Sequence, residues 1–113
     1  MTRRIDLALG LALAVAGFAA APAFAYDADC TFRGGYGEAT ERFTCDFEKL
    51  DRQGSFNVTG NGYFIQMDIR RKNRGNGNMS VGGPTFDLGP FVRERGDRAC
   101  WLNQNSGARI CAY

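Results

Sequence analysis

A short run of cations gives this sequence its clearest potential for ligand chemistry. Arg70, Arg71, Lys72 and Arg74 are interrupted only by Asn73. Guanidinium and ammonium groups at this spacing hold phosphates or carboxylates through charge-assisted hydrogen bonds. We therefore treat these four residues as a candidate anion-binding site for an acidic polymer or an acidic protein. The alternative is a hairpin tip whose charges are simply solvated.

The four cysteines, Cys30, Cys45, Cys100 and Cys111, predict a covalent framework. Small exported domains are commonly stapled by disulfides, because an apolar core of this size gives only marginal stability. Four cysteines allow three pairings, and spacing alone proves none of them. The spacings match no zinc pattern, so we expect no metal site and no cofactor.

The register of a predicted hairpin favours one of these pairings. Residues 104–107 have the composition of a hairpin loop, and that loop makes Asn103 face Ala108 and Cys100 face Cys111. Counting outward from a hydrogen-bonded Asn103–Ala108 pair, the two cysteines form a non-hydrogen-bonded pair, in which side chains come closest. The sequence therefore predicts a Cys100–Cys111 disulfide.

The other disulfide follows by elimination. Cys30 joins Cys45 across residues 34–37, a glycine-rich stretch that favours a bend in the chain. We expect both bridges to form and to leave no free thiol.

The chemistry that the chain lacks is equally informative. It contains no histidine, which excludes serine–histidine and cysteine–histidine nucleophile pairs. Oxidised cysteines supply no thiolate, and no phosphate-binding glycine loop is present in the sequence. Paired carboxylates acting on a glycan are the remaining catalytic option. We expect a protein that is not an enzyme.

Residues 1–25 are predicted to be a signal peptide. Two arginines precede an apolar stretch at residues 7–21, and Ala23 and Ala25 supply the small side chains that signal peptidase requires. The stretch is shorter than the roughly 20 residues of a membrane span. We therefore expect cleavage after Ala25 and a periplasmic or secreted bacterial domain at residues 26–113, without stable membrane insertion.

The net charge of this domain argues against a nucleic-acid partner. The whole chain carries a formal net charge of +2, and removing Arg3, Arg4 and Asp6 with the leader lowers it to +1. Such a domain does not attract nucleic acid as a whole, so any charge-driven binding must come from a local cluster.

The domain is predicted to be all-β. Ile65, Met67 and Ile69 share one face of the clearest strand, and alternation there places Arg70 outward and Arg71 inward unless a turn begins at that point. Further strand segments are predicted at residues 55–59, 79–81, 85–88 and 91–93. Joined by tight turns, they predict a small antiparallel meander that closes as a barrel or a two-layer sandwich.

Glycine, asparagine and proline mark the predicted interruptions. Residues 73–78 are expected to form a link rich in turns, and Gly89–Pro90 is expected to break a strand. Residues 44–50 are the one segment with an alternative as a helical turn. Five aromatic residues are expected in the core rather than on a ligand-stacking surface, because they are scattered over several strands; Phe64 is the exception, on a polar strand face. The set is Phe56, Phe64, Phe86, Phe91 and Trp101.

Four stretches of the chain resemble a family of small exported proteins of alphaproteobacteria with a carboxy-terminal cysteine hairpin. They are Gly54-Ser55-Phe56, Gly89-Pro90-Phe91, Asp97-Arg98-Ala99-Cys100-Trp101 and Ile110-Cys111-Ala112-Tyr113. Arg98 stands where that pattern has a proline. The resemblance implies an exported, disulfide-bonded small domain, and it implies no activity.

Together these features predict an exported, non-enzymatic module of the bacterial envelope with a binding or structural role, including weak binding of an anionic ligand. Two alternatives belong to other classes. One is an inhibitor of a cell-wall hydrolase, similar to lysozyme inhibitors, on grounds of size and compartment. The other is a carboxylate-based glycan hydrolase.

Overall fold

The computed structural model describes residues 25–113, which form eight antiparallel strands. The strands are β1 (Ala25–Arg33), β2 (Glu41–Lys49), β3 (Phe56–Gly60), β4 (Tyr63–Arg71), β5 (Arg74–Ser80), β6 (Thr85–Arg93), β7 (Cys100–Leu102) and β8 (Arg109–Ala112). Each strand pairs with the next, and β8 pairs back with β1, so the meander closes into a barrel. The predicted all-β meander is confirmed, and of its two closures the barrel is the one formed.

The predicted signal peptide lies outside the described residues, except for Ala25. This residue begins β1, so cleavage after it would shorten that strand by one residue. Among residues 25–113 there is no helix with the length and apolar character needed to cross a membrane.

The core fills the barrel with side chains from alternate strand positions. The predicted inward face of β4 is buried at Ile65, Met67 and Ile69. Phe91 and Ile110 reach the same core from β6 and β8, and each is 1% exposed. A buried polar contact lies at one end of the core, where the backbone N–H of Ile69 donates a 2.8 Å hydrogen bond to the Ser55 hydroxyl.

Both predicted disulfides are present. In the β7–β8 hairpin Cys100 lies directly opposite Cys111, with the Cα atoms 4.0 Å apart, and the Asn103 N–H donates to the Ala108 carbonyl at 2.8 Å. The predicted loop and register are therefore correct. This bridge lies on the outer face of the sheet, because the alternate residues Trp101 and Ile110 point into the core.

The second bridge, Cys30–Cys45, lies inside the barrel. It is diagonal: Cys30 lies opposite Phe43, and Cys45 lies opposite Ala28. The Cα atoms are 5.9 Å apart, and both cysteines belong to the core cluster. The two disulfides indicate a compartment outside the reducing cytosol.

Strand β5 corrects the prediction that residues 73–78 form a link. A Cβ atom at Gly77 would lie 2.7 Å from Cε1 of Phe91, and one at Gly75 would lie 2.9 Å from Cδ1 of Ile69. These glycines make room for large core side chains of neighbouring strands. Only Lys72 and Asn73 form the turn, with Asn73 in the left-handed region at φ 61°.

Strand β6 likewise runs through Gly89–Pro90, which was predicted to break it. Gly89 takes a φ of 87°, and the register opposite it shifts between Gly77 and Asn78. Pro90 is tolerated because only the last two residues of β6, Val92 and Arg93, pair with β7. At Pro90 there is no hydrogen-bonded ladder to β7 that a missing N–H could interrupt.

Two other expectations are settled by the strands. Residues 44–50 contain no helical turn, because they continue β2 as far as Lys49. Phe64 is exposed, as its polar strand face predicted, but Phe86 is 49% exposed and does not belong to the core.

Candidate anion-binding site

The antiparallel topology gathers three loops at one end of the barrel. The β2–β3, β4–β5 and β6–β7 connections all lie there, beside the start of β1 and the end of β8. We call it the basic end, because most of the lysine and arginine residues after Ala25 lie in or beside these loops. The exceptions are Arg33, Arg42 and Arg109.

The predicted cation cluster is only partly one site. Arg70 lies at a bulge, and its Nε donates a 2.8 Å hydrogen bond to Oδ2 of Asp68. The two side chains are 67% and 46% exposed, so this ion pair is solvated and weak. Arg71 is exposed as well, and this is the exception that the prediction allowed, because the turn begins directly after it at Lys72. The register shift between Ile69 and Arg71 ends the alternation before the turn.

Lys72 and Arg74 do face a common groove, between the β4–β5 turn and the β6–β7 loop. Asn73 ties these two segments together. Its carbonyl accepts a 3.0 Å hydrogen bond from the Arg93 N–H, and its Oδ1 accepts another of 3.0 Å from Nη2 of Arg98. The turn is thereby fixed against the loop rather than projecting alone into solvent.

Three further cations line the same groove, and they were missed by the sequence prediction. Arg93, Arg95 and Arg98 come from the end of β6 and the loop after it. They stand about 20 residues from the predicted cluster, and only the up-and-down order of strands brings the two groups together. We call the groove lined by Lys72, Arg74, Arg93, Arg95 and Arg98 the cationic groove; its volume is ≈ 610 Å³.

The one acidic residue that lines the cationic groove is already paired. Glu94 accepts hydrogen bonds of 2.6 Å and 3.0 Å from Nε and Nη2 of Arg109. This two-point contact, with burial opposing it, raises the pKa of Arg109. Among residues 25–113 the ion pairs are Arg109–Glu94 and Arg70–Asp68, so no carboxylate of this part of the chain lies within ion-pair distance of a groove cation.

Arg93 links the groove to the interior of the barrel. Its guanidinium carbon lies 5.3 Å from the centre of the Trp101 ring, and its Nε donates a 2.7 Å hydrogen bond to the Arg98 carbonyl. Partial burial, and secondarily the positive charge of Arg98, lower the pKa of Arg93. The group stays protonated at neutral pH.

A smaller pocket opens beside the groove, at the mouth of the barrel. Its apolar wall consists of Phe47, Phe56, Ile69 and Trp101, and its volume is ≈ 240 Å³. The rings of Phe47 and Phe56 stack with centroids 5.0 Å apart, and the Phe56 ring lies 6.4 Å from that of Trp101. Lys72, Arg93 and Arg98 of the cationic groove also form the rim of this mouth.

A polar network on the outer face holds the loop that carries the missed cations. The Tyr113 hydroxyl donates a 2.5 Å hydrogen bond to Oδ2 of Asp97 and lies 3.4 Å from Sγ of Cys100. This hydrogen bond, with a second from the Ala99 N–H, lowers the pKa of Asp97, and it raises the pKa of Tyr113. The β6–β7 loop is therefore anchored to the end of the chain beside the outer disulfide.

The described part of the chain offers no metal site of the usual kind, since it has no group of three or more Cys, Asp or Glu side chains arranged to hold an ion. The chain matches no protein-family model, no curated protein and no solved structure. Its function is therefore inferred from the geometry of the basic end.

Proposed function

We propose that the protein is an exported, non-enzymatic β-barrel module that binds an acidic polymer of the bacterial envelope through the cationic groove. The observation that supports this most directly is the convergence of five cations, from two loops and the strand ends beside them, on one groove whose one carboxylate is paired with Arg109. A periplasmic or secreted location is proposed on the predicted leader, and the two disulfides agree with it.

A polymer suits this groove better than a single small anion. Each exposed cation contributes roughly 0.2–1 kcal/mol to an ion pair, so a single contact binds weakly. Repeated charges on one chain engage several cations at once, and linkage raises the total affinity without any new type of contact. The near-zero net charge of the domain keeps this attraction local.

Binding to polygalacturonate, with neutral dextran as the control polymer, tests the proposal. We expect weak binding to the acidic polymer, and we expect it to be lost at high salt as the Debye length falls from about 10 Å to about 3 Å. The double variant Arg74→Gln with Arg95→Gln should weaken binding severalfold, because it removes two groove cations that do not line the barrel mouth.

Two matched variants separate the groove from charge in general. Arg42→Gln removes an exposed cation at the opposite end of the barrel, and Arg70→Gln removes one that already pairs with Asp68. The double variant that combines Arg42→Gln and Arg70→Gln removes as much charge as the groove variant, and it should weaken polymer binding less. Equal losses in all variants, or binding that survives high salt, would refute the cationic groove as the site.

The groove also favours a second candidate, inhibition of a cell-wall hydrolase. Glycoside hydrolases carry two carboxyl groups in their clefts, and a rigid cationic loop is complementary to such a pair. Assaying lysozyme activity in the presence of the protein tests this directly. Inhibition without polymer binding would replace the envelope-polymer proposal, and release of products from peptidoglycan fragments would instead identify a glycan hydrolase.

A further inference from the structure

The barrel mouth differs from the cationic groove in having a floor of aromatic and aliphatic side chains. Phe56, Ile69 and Trp101 are almost completely buried, yet each contributes to the wall of the same opening. Gln53 and Gly54 of the β2–β3 loop form one lip, and Ala99 of the β6–β7 loop lies in the other. An apolar group that enters between these lips would meet the core of the barrel directly.

The charges at the mouth all have one sign. Lys72, Arg93 and Arg98 stand on the rim, and no aspartate or glutamate of residues 25–113 belongs to the lining. One face of the Arg93 guanidinium covers Trp101, and Nη2 of Arg98 is held by Asn73, so both groups are fixed in position before any ligand arrives.

We propose that the mouth binds a small amphiphilic carboxylate, with its acyl or aryl group against Phe56 and Trp101 and its carboxylate at Arg93 and Arg98. An apolar wall combined with a few convergent polar groups is the usual form of a small-molecule site. Guanidinium groups are the preferred partners of a carboxylate, because their fork of N–H donors matches its two oxygens. This inference concerns a pocket beside the groove and does not depend on polymer binding.

The size of the mouth restricts the ligand. A cavity of about 150 Å³ holds benzene, so the ≈ 240 Å³ of the mouth has room for roughly ten carbon atoms. We therefore expect binding to strengthen about fourfold for each added CH₂ group from hexanoate to decanoate. Hexadecanoate should bind no more tightly than decanoate, because its further carbon atoms would remain in water.

Titration with octanoate, followed by calorimetry and by tryptophan fluorescence, tests the site. Trp101 is the only tryptophan in the chain, so its emission reports on the mouth alone. We expect saturable binding of one octanoate with a change in that emission. Octanol and octylammonium should bind at least about tenfold more weakly, because octanol has neither the negative charge nor the two oxygens of a carboxylate, and octylammonium is repelled by the rim cations. Phenylpropionate tests the aryl class under the same conditions.

Variants distinguish the mouth from the rest of the surface. Arg98→Gln should weaken octanoate binding about tenfold or more, and Ala99→Leu should abolish it by filling a lip of the mouth. Arg42→Gln, at the far end of the barrel, should leave it unchanged. Circular dichroism establishes that each variant is folded, and Arg98→Gln, which changes an exposed side chain, remains decisive if Ala99→Leu unfolds.

The outcomes separate this inference from the proposed function. Octanoate binding in a protein that does not bind polygalacturonate would support the mouth and refute the groove. Equal binding of octanol and octanoate, unchanged binding in both Arg98→Gln and Ala99→Leu, or no octanoate binding at all would refute the mouth.

Discussion

At the scale of single residues, the Tyr113–Asp97 hydrogen bond links stability to pH. The bond lowers the pKa of Asp97 below its value of 3.8 in an unfolded chain. A depressed carboxyl pKa contributes stability above the unfolded value, and this contribution is lost as the pH falls through the folded value. Tyr113→Phe removes the largest cause of the shift. We expect the variant to melt below the parent at about pH 7, with a smaller difference at about pH 3.

Tyr36→Phe provides the matched control for this experiment. The Tyr36 hydroxyl donates a 3.0 Å hydrogen bond to the carbonyl of Gln104, a group that does not titrate. Its removal should change the melting temperature by the same amount at both pH values. A Tyr113→Phe difference that is equally independent of pH would contradict a role for Asp97.

A second residue-scale prediction concerns the glycines of β5. Gly77→Ala would place a Cβ atom 2.7 Å from Cε1 of Phe91, a side chain that is 1% exposed and unable to move aside freely. Overpacking of this kind costs about 1–3 kcal/mol. Urea unfolding should therefore show a loss of stability in that range. Gly83→Ala, where no atom lies within 4 Å of the added Cβ, should be neutral or slightly stabilising.

At the scale of elements, the sequence predicted the strands and turns that are specified by residues adjacent along the chain. The alternation of Ile65, Met67 and Ile69 identified β4, and the loop at residues 104–107 gave the register of β7 and β8. Strand β5 was predicted only at its end, in the segment 79–81, because Gly75 and Gly77 have the composition of a turn. Their role becomes visible only beside Phe91 and Ile69, which belong to other strands.

The cationic groove was likewise predicted only where its residues are close together in the sequence. Lys72 and Arg74 belong to a contiguous run of cations, so the sequence shows them. Arg93, Arg95 and Arg98 join them only because the barrel places alternate loops at one end. The number and order of the strands carry this signal, but the strands predicted from the sequence included neither β1 nor β2, only the end of β5, and a β6 broken at Gly89.

The two disulfides each link a pair of adjacent strands, and we expect their removal to destabilise the barrel by different amounts. They close loops with sequence separations of 15 and 11 residues, so chain entropy assigns each bridge about 3 kcal/mol. Their surroundings differ: Cys30–Cys45 fills the core, whereas Cys100–Cys111 contacts the polar side chains of Arg109 and Tyr113. All four cysteines are buried, but the outer pair is covered by the long side chains of Arg109 and Tyr113, which can relax into the space that it leaves. Replacing Cys30 and Cys45 with alanine should therefore cost more than replacing the outer pair, because the close-packed core around them cannot relax to the same extent.

Urea unfolding of the two double-alanine variants measures this difference. The variant without Cys100–Cys111 should lose about 3 kcal/mol of unfolding free energy. At a given temperature, a larger fraction of it should remain folded than of the variant without Cys30–Cys45. Equal losses would show that the environment of the bridges does not matter, and a larger loss for the outer pair would contradict the packing argument.

At the scale of the whole molecule, opposite regions of a nearly neutral domain carry different charge. The basic end combines the cationic groove with the barrel mouth, whereas Arg42 and Glu41 begin β2 at the far end. Such segregation orients an approaching anion without making the entire surface attractive to it. Both proposed ligands would therefore meet the same end of the barrel, one along its edge and one in its opening.

The last prediction concerns the cleavage of the predicted signal peptide. Cleavage after Ala25 should yield a protein that begins with Tyr26, whose ring lies 5.3 Å from that of Phe47 in β2. The cut therefore leaves the packing of β1 intact. Intact-mass measurement of the exported protein should give the mass of residues 26–113 with both disulfides formed. Ala25→Gln places a larger polar side chain at position −1 and should block this cleavage. Ala21→Gln should not, because Ala21 is the alternative small residue before a cut, and a cut there is disfavoured by Pro22 at position +1. A mature chain that begins at Pro22, or an uncleaved chain retained with membranes, would contradict the predicted signal peptide.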